Sequence, residues 1–408
     1  MRTGDAPSLV DLDSLYFQGN TVELAMAVAA LPRVYALSMR QLYTQVIADV
    51  RDGKAGTIHP ELYRAYCENF RKGVSGVLGR DSYGDRYSDM CDQFEANVAR
   101  FAAYKAFHAT QQLERQLADR EGVERSPEEF DRMARAVLNT FNRYQAAEYN
   151  TAVARARTAK QWADFSQGDN MFLFPNIRWL PSRSANPREQ HMPFYNRVWA
   201  KNDPFWNSNQ PGNLWNCKCD WEETDDPVTG DNPEGLKPAR GLEGNPAETG
   251  QIFTDECTYF KNISNTKRKK MEKYVGEKIL KKESIHALKA VQNDKVTVDK
   301  RGVNIDVLFD SKTTSHLAND VAENCNFLWN VSMPRIKELL ENATLVAHER
   351  NVKLVKKPSA VHYYYYECRI GKEVFYLNVE ENYVVMEGRH FYRLYSIVDK
   401  LRDTAILY

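Results

Sequence analysis

At 408 residues the chain is longer than one hydrophobic core usually organises, so two or three domains are expected. An apolar share of 43%, a charged share of 27% and a formal net charge of zero fit a globular protein and exclude a global field drawing it to nucleic acid or membrane. No run of about eighteen apolar residues occurs, so no membrane anchor is expected. The polar, acidic start has no secretory signal, and seven mostly scattered cysteines argue for a reducing cytosol rather than a disulfide framework.

Residues 1–160 read as a mainly helical part. Helices are predicted around 22–52, 60–78 and 86–118, separated by "DGKAG" and "GRDSYGD". The clearest helix follows Ser126, which with Glu129 makes a capping-box pattern around Pro127 at the first helical position. Phe130, Met133, Val137, Leu138, Phe141 and Tyr144 then recur at helical spacing, as a packing face does. Residues 161–221 change texture. They carry six of the seven tryptophans with several prolines, and "FLFPNIRWLPSR" predicts short extended pieces. This is an irregular segment built on aromatic packing, ending in a C-x-C corner.

The next two zones are opposite in charge. From Asp220 to Cys257 there are eleven Asp/Glu and two Lys/Arg with many Pro and Gly, so 222–260 reads as an acidic linker or a wrapping arm. From Lys261 to Arg301 there are thirteen Lys/Arg and five Asp/Glu, and 261–295 reads as a basic helix, a solvated face or a contact with RNA or another anionic surface. Residues 296–408 read as a small α+β domain. "VTVDKRGVNIDVLFD" predicts two short strands, "KTTSHLANDVAENCNFLW" and "SMPRIKELLEN" two helices, and the Tyr-rich remainder a set of strands with a hairpin at Gly371. The expected arrangement is two helices on an antiparallel sheet. The tyrosine run 363–366 is expected to show one face to the core and one to solvent, where it could stack bases.

The stretch "PGNLWNCKCDW" raises the first chemical question. His191, Cys217 and Cys219 are competent zinc ligands, but one residue between cysteines is fewer than structural zinc sites favour, and no fourth ligand is evident. A disulfide across one residue would be strained. The favoured reading is a pair of small buried hydrophobes among tryptophans, with no cofactor, and zinc is the minority reading.

The order of features here resembles the Mu F / SPP1 minor head protein family, the phage head morphogenesis domain. The matching elements are Arg188 and His191, then Asp203, Pro204, Phe205 and Trp206, then Pro211, and the closing Cys217, Lys218 and Cys219. The resemblance covers roughly residues 60–225. It implies a minor capsid component of a phage or prophage, assembled in a bacterial cytoplasm and carried in the virion near the portal, with portal and other capsid proteins, and phage DNA, as partners. It implies no catalysis in this half.

The C-terminal domain poses a second question. RNA cleavage without metal needs a group to take the 2′-hydroxyl proton, one to protonate the leaving oxygen, and cations for the phosphate. The candidates are Lys312, Thr314, Ser315 and His316 at a helix start, His362 and Arg369 on the first late strand, and Tyr376, Arg389, His390 and Ser396 beyond it. "TTSHLANDV", "FYLNVE" and "HFYRLYSI" resemble the phage branch of the barnase–EndoU–colicin E5/D–RelE nucleases. That resemblance implies a toxin-like RNase acting on tRNA or other RNA, with an immunity protein as partner. From the chemistry and placement of the candidates, the expected catalytic set is His316, Lys312, Ser315, His362, Tyr376 and Ser396. The alternative is a purely structural virion protein whose last domain is an adaptor or a DNA-contacting module. An ADP-ribosyltransferase ranks lowest, because the late strands carry no Glu-x-Glu pair.

Overall fold

The computed structural model describes residues 33–79, 84–168, 170–230, 233, 237–353 and 355–408. The protein start and residues 22–32 of the first predicted helix lie outside them. The chain divides into two compact units, Met1–Met271 and Glu272–Tyr408, each a mixture of helices and one sheet.

In the first unit, helices α1 (Arg33–Arg51), α2 (Pro60–Leu78), α3 (Ser88–Glu114) and α4 (Pro127–Phe165) carry the core. Local chemistry sets their ends. Ser126 Oγ accepts from Glu129 N at 3.2 Å with Pro127 in the first turn of α4. His59 caps α2 through Nδ1 while its Nε2 meets Asp49 at 3.0 Å, and α2 stops at Gly79, whose φ of 65° suits glycine. Of the predicted α4 face, Phe130, Val137, Leu138, Phe141 and Tyr144 are buried and Met133 is half-buried. Inside the bundle Lys105 of α3 is fully buried. It is held by Glu148 and by Gln145 of α4, and Tyr259 donates to the same Glu148 at 3.0 Å. A buried charge survives only with such a full set of partners.

The Trp-rich segment forms a three-stranded antiparallel sheet, in the order β2 (Val198–Ala200), β1 (Asn176–Leu180), β3 (Asp220–Thr224). Trp179, Trp199, Phe205, Trp206 and Trp221 pack into one cluster, with Trp199 and Phe205 stacked at 4.1 Å. The acidic residues that follow depart from the linker reading, and the wrapping arm describes them. Arg155 of α4 is buried and donates to the carbonyls of Leu242, Glu243 and Gly244. Phe253 stacks on Phe101 at 4.0 Å, and its backbone pairs with the Asn97 side chain in both directions. Leu242, Ile252, Phe253 and Cys257 are apolar anchors at wide spacing, and the average charge of the segment hides them.

In the second unit the basic stretch is helical in pieces: α5 (Asn265–Val275, which begins before the division), one π turn (Gly276–Leu280) and α6 (Lys281–Lys289). Gly276 is required there, because a Cβ would lie 2.1 Å from the Ala322 carbonyl. The two predicted strands are β4 (Lys295–Asp299) and β5 (Asn304–Leu308). Three helices rather than two follow: α7 (Ser311–Asn324), α8 (Phe327–Ser332) and α9 (Ile336–Glu341). Then come β6 (Thr344–Arg350), β7 (Ala360–Ile370), β8 (Glu373–Val384), β9 (Arg389–Val398) and β10 (Ile406–Leu407). The sheet order is β10-β6-β7-β8-β9-β5-β4. It is antiparallel except at β5 and β9, which run parallel, so the expected antiparallel sheet is corrected to a mixed one. The cause is topological: the chain leaves β5 through helices before it returns, and a crossover permits parallel pairing where a hairpin does not.

Burial pushes the Asp320 carboxyl of α7 up to about 7, although the Ile397 amide donates to it at 2.9 Å. Because the folded value lies above the unfolded one, this group costs stability progressively as pH rises from about 4 to 7, and most above 7. Asp320→Asn should therefore raise the thermal midpoint clearly at pH 8 and little at pH 4. Equal shifts at the two pH values would refute this.

Candidate functional sites

The first unit gathers His191, Cys217 and Cys219. His191 sits in a 3-10 turn (Glu189–Phe194), and the two cysteines immediately precede β3. Both sulfurs turn to one ring. His191 Nδ1 lies 3.2 Å from Cys219 Sγ and 3.5 Å from Cys217 Sγ. His191 and Cys217 are buried and Cys219 is half-buried. The hydrogen bond from Cys219, with His191 beside it, holds the Cys217 thiol well below its ordinary value despite burial. The hydrogen bond with Cys217, followed by burial, pushes the Cys219 thiol up. These three groups could hold a metal ion. The other motif residues are structural supports. Arg188 donates to the Trp215 carbonyl at 2.5 Å, Asp203 caps the turn that begins at Pro204, and Trp206 donates to the Ala200 carbonyl at 2.9 Å.

The second unit carries chemistry on both sheet faces. Glu380 and Glu381 are neighbours on β8, and strand alternation sends them to opposite sides. Around Glu381 the hydroxyls of Tyr364 (2.7 Å) and Tyr392 (3.1 Å) donate to the carboxylate. His390 Nδ1 and His362 Nδ1 reach it at 2.9 and 3.3 Å, and Lys300 Nζ lies at 3.8 Å. His348 stands opposite Tyr364 in the register, and Tyr408 stacks on it at 4.8 Å with Arg301 over the Tyr408 ring. Burial would raise the Glu381 carboxyl, but the Tyr364 hydrogen bond and the Lys300 charge outweigh it and hold it below the usual range. Burial, then Glu381, pushes Tyr364 up, so it stays a proton donor. His362 and His390 keep substantial exposure, at 34% and 46%. Both rings thus meet the same carboxylate through Nδ1.

On the other face Glu380 receives Lys357 Nζ at 3.1 Å, Arg393 Nε at 3.1 Å and the Tyr363 hydroxyl at 3.2 Å. Lys357 Nζ stands 3.5 Å above the Tyr395 ring, and His316 meets that ring at 4.5 Å. A cleft lined by Glu349, Lys353, Lys357, Tyr363, Tyr395 and Arg402 adjoins this group.

The candidates from the sequence do not converge on one point. His362 and His390 share Glu381, whereas His316 belongs with Lys357 on the opposite face. Lys312 and Ser315 are exposed on α7 and Thr314 is buried. Tyr376 packs on the small Tyr363–Tyr365 cluster, and Ser396 is nearly buried opposite Asn378. Arg369 and Arg389 pair with neighbouring Glu367 and Glu387. The tyrosine run has no exposed face: all four rings are buried, and their hydroxyls reach Glu380, Glu381, Glu349 and the Asp299 carbonyl. The expected solvent side is corrected because each outward hydroxyl finds an internal acceptor. Lys300, His348 and Glu381 escaped the sequence reading. Lys300 sits in a hairpin turn far from the late strands, and only the register of β6 to β9 brings the others together.

No protein-family model, curated protein or solved structure matches the chain. Among the described residues no helix is long and apolar enough to cross a membrane.

Burial, followed by the Lys357 charge, holds the His316 imidazole below its ordinary value, with Glu380 opposing. Lys357→Met should raise the His316 midpoint in an NMR titration of its ring protons. A midpoint unmoved or lowered would contradict the arrangement.

Proposed function

We propose that the second unit is a metal-independent endoribonuclease and that the first unit is a head-morphogenesis module delivering it as a minor component of a phage or prophage virion. The observation that carries the nuclease reading is the pair of half-exposed imidazoles, His362 and His390, oriented by one buried carboxylate, Glu381, beside Lys300. In the reaction, one neutral imidazole takes the proton of the ribose 2′-hydroxyl as its oxygen attacks the adjacent phosphorus. The other, protonated, gives its proton to the departing 5′-oxygen, and the phosphodiester bond breaks to a 2′,3′-cyclic phosphate and a free 5′-hydroxyl. Lys300 supplies positive charge for the phosphate, and Glu381 positions both rings. The resemblance of Arg188, His191, the Asp203–Trp206 element and the Cys217–Cys219 corner to minor head proteins supports the virion part. In this reading portal and capsid proteins are partners of the first unit, and RNA and an inhibitory immunity protein are partners of the second. Zinc, if the first unit carries it, is a structural ion there and takes no part in cleavage.

The test is cleavage of a single-stranded RNA by the full chain in EDTA, with the matching DNA as control. RNA should be cut to cyclic-phosphate ends and DNA left intact, since it lacks the 2′-hydroxyl. His362→Ala and His390→Ala should each slow cleavage by about 10²-fold or more, while His316→Ala should change it little. Intact RNA with a folded chain, or His316→Ala as the damaging variant, would overturn the assignment.

A further inference from the structure

We infer that His191 Nδ1, Cys217 Sγ and Cys219 Sγ bind one zinc ion that staples the 3-10 turn Glu189–Phe194 to the edge of β3. The geometry is that of three corners of a coordination tetrahedron converging on one point. Zinc–sulfur bonds of about 2.3 Å and zinc–nitrogen bonds of about 2.0 Å at tetrahedral angles put nitrogen and sulfur about 3.5 Å apart. The two separations here are 3.2 and 3.5 Å, and all three donor atoms lie within 4.8 Å of one another. Two thiolates and an imidazole are soft and borderline donors, which favour zinc over magnesium or calcium.

The surroundings fit such a site. The His191 ring is fixed edge-on against Trp179 at 5.4 Å, so its orientation is set before any ion arrives. Its Nε2 is buried and finds no hydrogen-bond acceptor, which leaves Nδ1 as the productive nitrogen. Tyr195 lies beside Cys219, on the less buried side of the site. Among the described residues no fourth His, Cys, Asp or Glu joins the group, so the fourth position falls to water on the Cys219 side. The short C-x-C spacing is no obstacle. A zinc knuckle takes its ligands from one short loop, whereas here the third ligand arrives from another element, the turn that carries His191. The ion would join pieces that the tryptophan cluster already holds near one another, which makes it a local clamp rather than the nucleus of the fold.

This inference is independent of the nuclease reading and survives its failure. The full chain, purified under reducing conditions without chelator, should carry close to one zinc per chain by elemental analysis. After zinc is removed, cobalt(II) added to the same chain should give the intense near-ultraviolet thiolate-to-cobalt band of a tetrahedral sulfur site. His191→Ala and Cys219→Ser should lose the band and the zinc, and Cys257→Ser, a buried thiol elsewhere in the first unit, should keep both. Zinc removal should also shift tryptophan emission to the red, since Trp179 packs on His191. A folded wild-type chain with less than about half an equivalent of zinc and no cobalt band would overturn the site. So would a His191→Ala variant that retains both signals. The cobalt titration of the wild-type chain decides the matter even if a variant fails to fold.

Discussion

The second unit is organised by two adjacent carboxylates on its central strand. Glu380 and Glu381 are both buried, and burying an unpaired charge is among the most costly things a fold can do. The period of a strand forbids them a common set of partners, so each face of the sheet has to supply its own. Glu380 draws Lys357, Arg393 and Tyr363. Glu381 draws Tyr364, Tyr392, His362, His390 and Lys300. The Tyr-rich composition of β7 follows from this demand. Tyrosine alone fills a core position and still carries a donor at its tip, and the run 363–366 supplies one to each side in alternation. Neighbouring Glu349 repeats the device on β6, accepting from Tyr365, Arg402 and Thr404.

The difference between the faces is what bears on function. Around Glu380 the partners are two cations and a phenol, and the cluster reads as a neutralised strut beside a cleft. Around Glu381 two of the partners are imidazoles that keep exposure, and a carboxylate holding an imidazole by Nδ1 is what prepares the opposite nitrogen for proton transfer. The same interaction that makes Glu381 tolerable in the core therefore orients the groups that could do chemistry at the surface. Lys300 arrives from the β4–β5 turn, where it bonds the Tyr392 hydroxyl at 2.7 Å and lies over the Tyr364 ring. These contacts hold its charge beside the Glu381 carboxylate.

Local signals in the sequence are legible where one element suffices to generate them. Ser126, Pro127 and Glu129 announce the start of α4, and Gly371 announces the β7–β8 hairpin, because capping and turn formation involve only residues a few positions apart. The acidic segment was harder. Its composition is that of a solvated chain, yet Arg155, nearly ninety residues upstream, satisfies three of its carbonyls and Phe253 fills the aromatic core. The parallel pairing of β5 with β9 and the third helix were likewise beyond periodicity, since both are set by how distant elements pack. At the site, His362 and His390 were visible as titratable residues on strands. Their partnership was not, because it runs through Glu381, whose charge in a strand interior looks like a surface residue until the register is known.

The C-x-C corner shows the same limit from the other direction. Judged by spacing, Cys217 and Cys219 are poor metal ligands, and that judgement assumes that both ligands and the turn between them come from one short loop. The structure brings His191, on a separate turn, to 3.2 and 3.5 Å from the two sulfurs, a convergence that spacing along the chain does not describe. Ligand spacing is thus a statement about backbone conformation before it is one about metal.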